Sequence, residues 1–487
     1  MPGKVPRLEK TLKVALGGTT LKDPLGAYRT MALRVEDWGL EVGAERDLVV
    51  DGCSAFELAA EYGTPLHVVH EARLRETVAS YIRAFRERYA GDVEPFYAMK
   101  CNGVPGVVSM VLQSGAKPEV MSEYEYWLAR RLGVPPAEII VNGPHKGKRF
   151  LRTLVSEGVK FVVVDSLQEL DVLGQVCSEL DRPVNLLLRL NPDYTPYGMN
   201  PATATASRKG AVFGLDLASG EERTALALCR QSRLLRYQGL HVHIGTGCKR
   251  AEDYSRAFAR FSSVLQVAES EYGLETGYLN FGGGFGSATA REYKTGEFLL
   301  YLGFGRLPPP PRTVDQSGFA QFADHICGPV EAFCRQHGHK LPRLILEPGR
   351  SLISSNVLFL MSVRVLKPAG KRSTWAVTDG GMWTTTFNPT FEYHEIFVCR
   401  DVLADRTRKY NITGSAFYGG DYIVHNKRLP PLREGDVLAL MDAGAYFTAM
   451  ESNFGRPRPP YVAVEQGRAR VLRRPERSED MLSRDVL

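Results

Sequence analysis

Phe96-Tyr97-Ala98-Met99-Lys100-Cys101-Asn102 decides how this chain is read. Residues 93–99 are an apolar run of the length and composition of a buried strand, and a single lysine stands at its C-terminal end. A lysine delivered there is expected to be partly desolvated. Desolvation depresses an ammonium pKa and leaves an amine able to attack a carbonyl carbon. A lysine after an apolar run is more often a solvated strand terminus, so the rest of the chain has to decide.

Working outward, similar runs alternate with helical periodicity. Strands are expected at 93–99, 118–121, 138–141, 160–164, 184–190, 237–244, 277–281 and 343–346, and helices at 123–132, 149–157, 168–180 and 253–272. Eight strands alternating with helices predict an α/β fold built on a parallel (β/α)8 barrel, with an open doubly wound sheet as the alternative. Polar residues follow nearly every strand: Lys100, Glu119 and Ser122, Asn142, Asp165, Arg189 and Asn191, His243, the run Gly282-Gly283-Gly284, and Glu347. In a barrel these ends converge on one rim, where active sites lie. Asp165-Ser166 reads as a helix cap.

The flanks have a different texture. Residues 1–35 show no period and read as partly disordered. Residues 48–53 and 65–69 read as short strands, and 71–89 as a helix. The proline-rich stretch within 300–314 reads as a surface insertion. After Arg350, short β-like runs at 357–365, 375–378, 396–399, 437–440 and 461–464 predict a C-terminal all-β domain that also takes in the N-terminal strands. The expected division is 1–65 joining the β domain, 66–350 as the barrel and 351–487 as the β domain.

The 61 basic and 55 acidic residues leave a net charge of +6 without a long basic run, so nucleic acid is not an expected partner. No apolar run approaches the length of a membrane span. The eight cysteines form neither a C-x-x-C pair nor a zinc spacing. Together with the absence of a secretory h-region, this reads as reduced thiols, a cytoplasmic protein and no metal.

Three stretches carry candidate chemistry. Gly282 to Gly286 follows a strand and could let backbone N–H groups cradle a phosphate, although its spacing is not that of a dinucleotide fingerprint. Glu347-Pro348-Gly349-Arg350 places a carboxylate and a guanidinium at a barrel mouth. His241-Val242-His243 puts two imidazoles on one strand face; a third metal ligand is not evident, and one ring stacking on a cofactor is the preferred reading.

Together these pieces resemble the alanine-racemase-like (fold type III) pyridoxal-phosphate enzymes, and among them the diaminopimelate branch of the ornithine/diaminopimelate/arginine decarboxylases. The resemblance covers about residues 45–465. It rests on FYAMKCN at 96–102, LLLRLNPD at 186–193, GLHVHIGT at 239–246, NFGGGFG at 280–286, EPGRS at 347–351, DGGM at 379–382, YHEI at 393–396 and DAGAYFTAMESNFGRPRP at 442–459. It implies a cofactor, pyridoxal 5′-phosphate, held by Lys100 as a Schiff base, with His243 stacked on the ring and Glu347 paired with the ring nitrogen. Thr246, Gly283, Gly284, Gly349, Arg350 and Tyr446 would lie around the cofactor. A racemase of this fold would carry an arginine at the Glu347 position, so the carboxylate implies decarboxylation. The resemblance also implies a homodimer with shared active sites.

The chain departs from that branch where substrate is gripped. The branch has a Cys-Glu-x-x-Asp run, supplied by the partner subunit; here Phe417 and Tyr418 replace the Cys and Glu, and Asp421 remains. An Arg-Pro pair after DGGM is Asn388-Pro389 here. Arg350, Asn388, Tyr418 and Asp421 are therefore the candidate substrate contacts. The expectation is decarboxylation of an amino acid with a neutral far end. Racemase or epimerase chemistry, and diaminopimelate decarboxylation itself, are the alternatives. A non-catalytic cofactor carrier is disfavoured by the second domain.

Overall fold

The computed structural model of the protein describes residues 33–199, 204–209, 213–311, 318–369, 373–386 and 388–486. The reading of residues 1–35 as partly disordered falls almost wholly outside these, as does the end of the proline-rich stretch. Immediately downstream, Val35–Trp38 is a 3-10 turn whose Trp38 is fully buried and donates its indole N–H to Asp442 at 2.9 Å.

Eight parallel strands close into a barrel: β1 (Val93–Ala98), β2 (Lys117–Val120), β3 (Ile140–Val141), β4 (Phe161–Val164), β5 (Val184–Asn191), β6 (Leu235–His241), β7 (Tyr278–Asn280) and β8 (Arg343–Leu346). β8 pairs with β1, and β4 pairs with β5, so the ring has no edge and the open-sheet alternative is excluded. Phe96, Ile140, Phe161, Val163, Leu187 and Ile345 pack together in the barrel interior. Side chains alternate along a strand, so the inward parity of Phe96 carries to Ala98 at the rim; the 3-10 turn Met99–Cys101 that follows and the end of β8 then bring Lys100 and Glu347 to the same space. This two-residue period is why the chemistry-bearing residues converge.

Local differences from the expected elements have identifiable causes. The strand expected over 237–244 ends at His241, and His243 lies in the loop beyond it. The helix expected over 253–272 is two helices, Glu252–Phe261 and Ser263–Ser270, joined at Ser262. Ser166 does cap its helix, accepting from the Glu169 N–H at 3.2 Å, but Asp165 does not; it pairs with Arg189 at 3.2 Å.

The long strand Val357–Ala369 organises the second domain. Its first half pairs with Leu66–His70 and Val437–Leu440, and its second half with Ser373–Thr378. Leu66–His70, at the start of the range read as barrel, is thus hydrogen-bonded into the β sheet, between Val357–Ala369 and Tyr461–Glu465. The small sheet Glu41–Val42, Leu48–Val50 and Cys53–Ser54 packs against the same domain through Leu48, Val50, Leu358, Leu360 and Phe397. The expected 48–53 strand is a tight hairpin because Asp51 and Gly52 take positive φ, 45° and 82°.

Glu395 is the electrostatic centre of this domain. Its buried carboxylate accepts from Arg406 at 2.6 Å and Lys427 at 2.7 Å, from the Tyr393 hydroxyl at 2.5 Å and from the Ile396 N–H at 2.9 Å. Burial alone would raise its pKa, but the two cations and these donors hold it at about 2, below the usual 4.5. A depressed carboxylate contributes stability above its unfolded pKa, and that stability is lost as pH falls from about 4.5 toward about 2. Glu395→Gln is expected to cost about 3–5 kcal/mol in urea unfolding, because it strands the buried Lys427 ammonium. It should also flatten the acid limb of the stability profile; an unchanged limb would assign acid sensitivity elsewhere.

Candidate active site

A narrow cavity opens at the C-terminal end of the barrel strands, lined by Ala98, Lys100, His243, Thr246 and Glu347. Gly283, Gly284, Gly349, Arg350 and Tyr446 complete the wall. The sequence-predicted cofactor residues therefore meet around one space. Tyr446 belongs to the β domain yet lines this chain's own cavity. Its backbone N–H donates to Cys101 O at 2.8 Å, and its ring lies 5.1 Å from the Arg350 guanidinium.

Glu347 is the most tightly held group. It accepts from Asn280 at 2.7 Å, from Asn142 at 3.3 Å and from His241 Nε2 at 3.3 Å. Burial opposes its ionisation, but the hydrogen bonds from His241 and Asn280, with the Lys100 charge, hold its pKa at about 2. Burial lowers the His241 pKa, and the Glu347 charge opposes that shift. His243 is held neutral by burial and by the Lys100 charge, and its Nδ1 accepts the Gly283 N–H at 3.1 Å.

Lys100 corrects the expectation of a depressed pKa. Its pKa is raised, because the attraction of Glu119 outweighs desolvation. Ala98 of β1 is in register with Glu119 of β2, which brings that carboxylate beside the lysine. Glu119 is itself pushed up to about 8 by burial, and its Oε1 has no hydrogen-bond partner among the described residues. Sequence reasoning placed Glu119 and Asn142 on the rim without assigning them to the site. His241, considered only as a metal ligand, is a support for Glu347. Among the described residues no His/Cys/Asp/Glu cluster could hold a metal ion.

The expected substrate contacts are dispersed within one chain. Arg350 is in the wall, ion-paired with Glu392 at 2.7 Å. Asn388 is buried and donates its amide to Ala445 O at 3.1 Å. Asp421 is buried in the β domain, accepting from the Met382 N–H at 2.7 Å and the Ala416 N–H at 2.8 Å. Phe417 is fully exposed, and Tyr418 is largely so.

The wall fits a flat, phosphorylated aldehyde cofactor. A Cβ added at Gly283 would sit 2.2 Å from Glu347 O, and one at Gly284 would sit 2.0 Å from Gly245 O, so only glycine permits this backbone approach. A guanidinium, a primary amine, an imidazole and a carboxylate face the same space, which matches the phosphate, aldehyde, ring and ring nitrogen of pyridoxal phosphate in turn.

The comparisons agree with this chemistry. The family described as pyridoxal-dependent decarboxylase, pyridoxal binding domain, matches residues 75–354, and the chain belongs to it, in the diaminopimelate decarboxylase branch. It is 31% identical over 462 residues to a diaminopimelate decarboxylase of Actinosynnema pretiosum subsp. auranticum, covering 93% of this chain and 96% of the relative. It is 29% identical over 450 residues to that of Methanothermobacter thermautotrophicus, covering 91% and 96%. The crystal structure of diaminopimelate decarboxylase from M. jannaschii in co-complex with L-lysine superposes with a TM-score of 0.78 at 26% identity, covering 93% of this chain and 99% of that one. The protein is a pyridoxal-phosphate-dependent amino-acid decarboxylase. No helix among the described residues is long and apolar enough to cross a membrane.

Proposed function

We propose that this decarboxylase acts on an amino acid with a charged far end, meso-diaminopimelate being the substrate its relatives support best. What carries the reading is the meeting of Lys100, His243, Glu347 and Arg350 around one cavity, in a chain aligned over nine-tenths of its length with diaminopimelate decarboxylases. Bound pyridoxal phosphate supplies the electron sink for the pair left at the α-carbon when CO2 departs. Lys100 would hold the cofactor's aldehyde carbon. Thr246, Gly283, Gly284, Gly349, Arg350 and Tyr446 would hold its phosphate end. Glu347, anionic throughout the working pH range, would keep a proton on the ring nitrogen, and the neutral His243 ring would cover the ring face without repelling that proton. Glu119, beside Lys100, is placed to take and return the proton that the amine sheds.

The expectation of a neutral far end is the less supported. It rested on Asn388 and Tyr418, and Asn388 spends its amide on Ala445. A second reading has one specific observation behind it: Arg350 is already paired with Glu392, which favours a lysine-like substrate without a distal carboxylate. Comparison of kcat/KM for meso-diaminopimelate, L-lysine and L-norleucine separates these. meso-Diaminopimelate is expected to lead; norleucine in first place would reverse the reading.

A homodimer with shared sites belongs to the same proposal, and so does a cytoplasmic setting with its thiols reduced. Phe417 and Tyr418 project from the β domain rather than lining their own chain's cavity, as expected of residues that serve a neighbour. Mixing inactive Lys100→Ala with inactive Asp421→Ala under subunit exchange should restore part of the activity. A fully active monomer would contradict this.

A further inference from the structure

Arg350 also lines a second, narrow chamber beside the first. Its walls come from the loops after β6 and β7 and from the antiparallel pair Arg291–Glu292 and Glu392–Tyr393. Lys249, Arg291, Glu292, Arg350 and Glu392 place three cations and two carboxylates around it, and Arg291 is taken up by Glu297 at 2.8 Å.

These charges are unequally satisfied. Arg350 and Glu392 pair at 2.7 Å, with side chains 10% and 7% exposed. Even so, the buried Arg350 Nε has no hydrogen-bond partner among the described residues. Among the described residues Lys249 reaches only the backbone oxygen of Glu292, at 3.5 Å. The Glu292 carboxylate forms no hydrogen bond or ion pair among the described residues. It lies against Gly247, where an added Cβ would come within 3.1 Å of its Oε1. Burial, and then the neighbouring Glu392 charge, raise its pKa. A desolvated carboxylate facing a cavity beside a second anion is relieved on both counts by an incoming cation.

We propose that this second chamber receives the far end of the amino-acid substrate and that Glu292 selects a cationic nitrogen there. The inference rests on the amino-acid decarboxylase reading and deepens it. A distal ammonium would donate to Glu292. Where the far carbon also carries a carboxylate, as in meso-diaminopimelate, Lys249 is the cation left for it, Arg350 being paired with Glu392. Lysine and diaminopimelate share the ammonium, so Glu292 serves both, and the carboxylate distinguishes them.

The test uses the full-length protein loaded with pyridoxal phosphate. Apparent dissociation constants come from absorbance titrations, and kcat/KM from CO2 release, for L-lysine, meso-diaminopimelate and L-norleucine, which has the lysine carbon chain with hydrogen in place of the ammonium. The wild type should favour lysine over norleucine by at least about tenfold, the least expected of a hydrogen bond to a charged group. Glu292→Gln should cut that ratio about tenfold, and Glu292→Asp, which keeps the charge, should retain most of it. A higher value for meso-diaminopimelate than for lysine would assign the distal carboxylate to Lys249; the reverse would leave the ammonium as the whole signal. A lysine-to-norleucine ratio unchanged in Glu292→Gln, or norleucine preferred by the wild type, overturns the inference. If no amino acid releases CO2 while the binding ratio still falls in Glu292→Gln, the decarboxylase reading fails and the role of Glu292 stands.

Discussion

Lys100→Ala is expected to lose all detectable turnover together with the visible absorbance of covalently held cofactor. No other described lysine lines the cavity. The buried Lys146 is held by Glu169 at 3.0 Å and Gly143 O at 2.7 Å, and the buried Lys427 sits in the β domain against Glu395. Neither can substitute without breaking a buried pair. The variant should fold, because the Phe96–Ala98 packing below it is untouched. Dialysed Lys100→Ala that kept covalent cofactor would remove the lysine from its assigned role. The raised pKa values of Lys100 and Glu119 add a pH signature: the two neighbours hold protons against each other, so Glu119→Gln should shift the pH dependence of cofactor capture rather than abolish it.

Glu347→Gln is expected to lower kcat for decarboxylation by about 100-fold or more, the scale of a single preorganised electrostatic contact. The substitution keeps the shape and leaves Lys100 in place, so cofactor absorbance should persist while kcat falls and KM moves little. A carboxylate held at about 2 cannot lose its charge in the working range, so the wild-type rate should show no acid limb from this group. Replacement of its donors is a milder version of the same experiment. Asn280→Ala should reduce kcat by less than Glu347→Gln does, because His241 and Asn142 still hold the carboxylate. A Glu347→Gln enzyme with wild-type kcat would mean that the ring nitrogen is held by another group.

How far the sequence reached depends on the range of the forces involved. The barrel was legible because strand parity and helix periodicity are local patterns, and the polar residue that closes each apolar run marks its rim end: Lys100, Glu119, Asn142 and Glu347 could all be placed there from the sequence. The (β/α)8 closure followed from counting eight such units. Less visible was what acts through space. The Glu119–Lys100 attraction reverses the expected pKa shift, and it depends on Ala98 and Glu119 sharing a register across two strands. His241 was weighed as a metal ligand because two histidines at alternate positions look like a ligand pair; the structure turns one onto Glu347 and the other toward Gly283. Asn388 and Tyr418 were judged by the residues they replace, whereas the charges facing the second chamber come from Lys249, Glu292 and Glu392, on segments with no recognisable motif besides the neighbouring YHEI. The antiparallel pairing of Arg291–Glu292 with Glu392–Tyr393 that assembles them joins segments a hundred residues apart, and nothing local in either segment announces it.

The central claim is decarboxylation, and its most direct measurement is CO2 release by the pyridoxal-phosphate-loaded protein with meso-diaminopimelate and L-lysine, followed together with the stereochemistry of the remaining substrate. The account predicts one CO2 per amino acid consumed, dependence on added cofactor, and unchanged configuration in the substrate that remains. Inversion of the α-carbon without CO2 release, for any amino acid tested, would contradict it and make the protein a racemase that carries a carboxylate at Glu347.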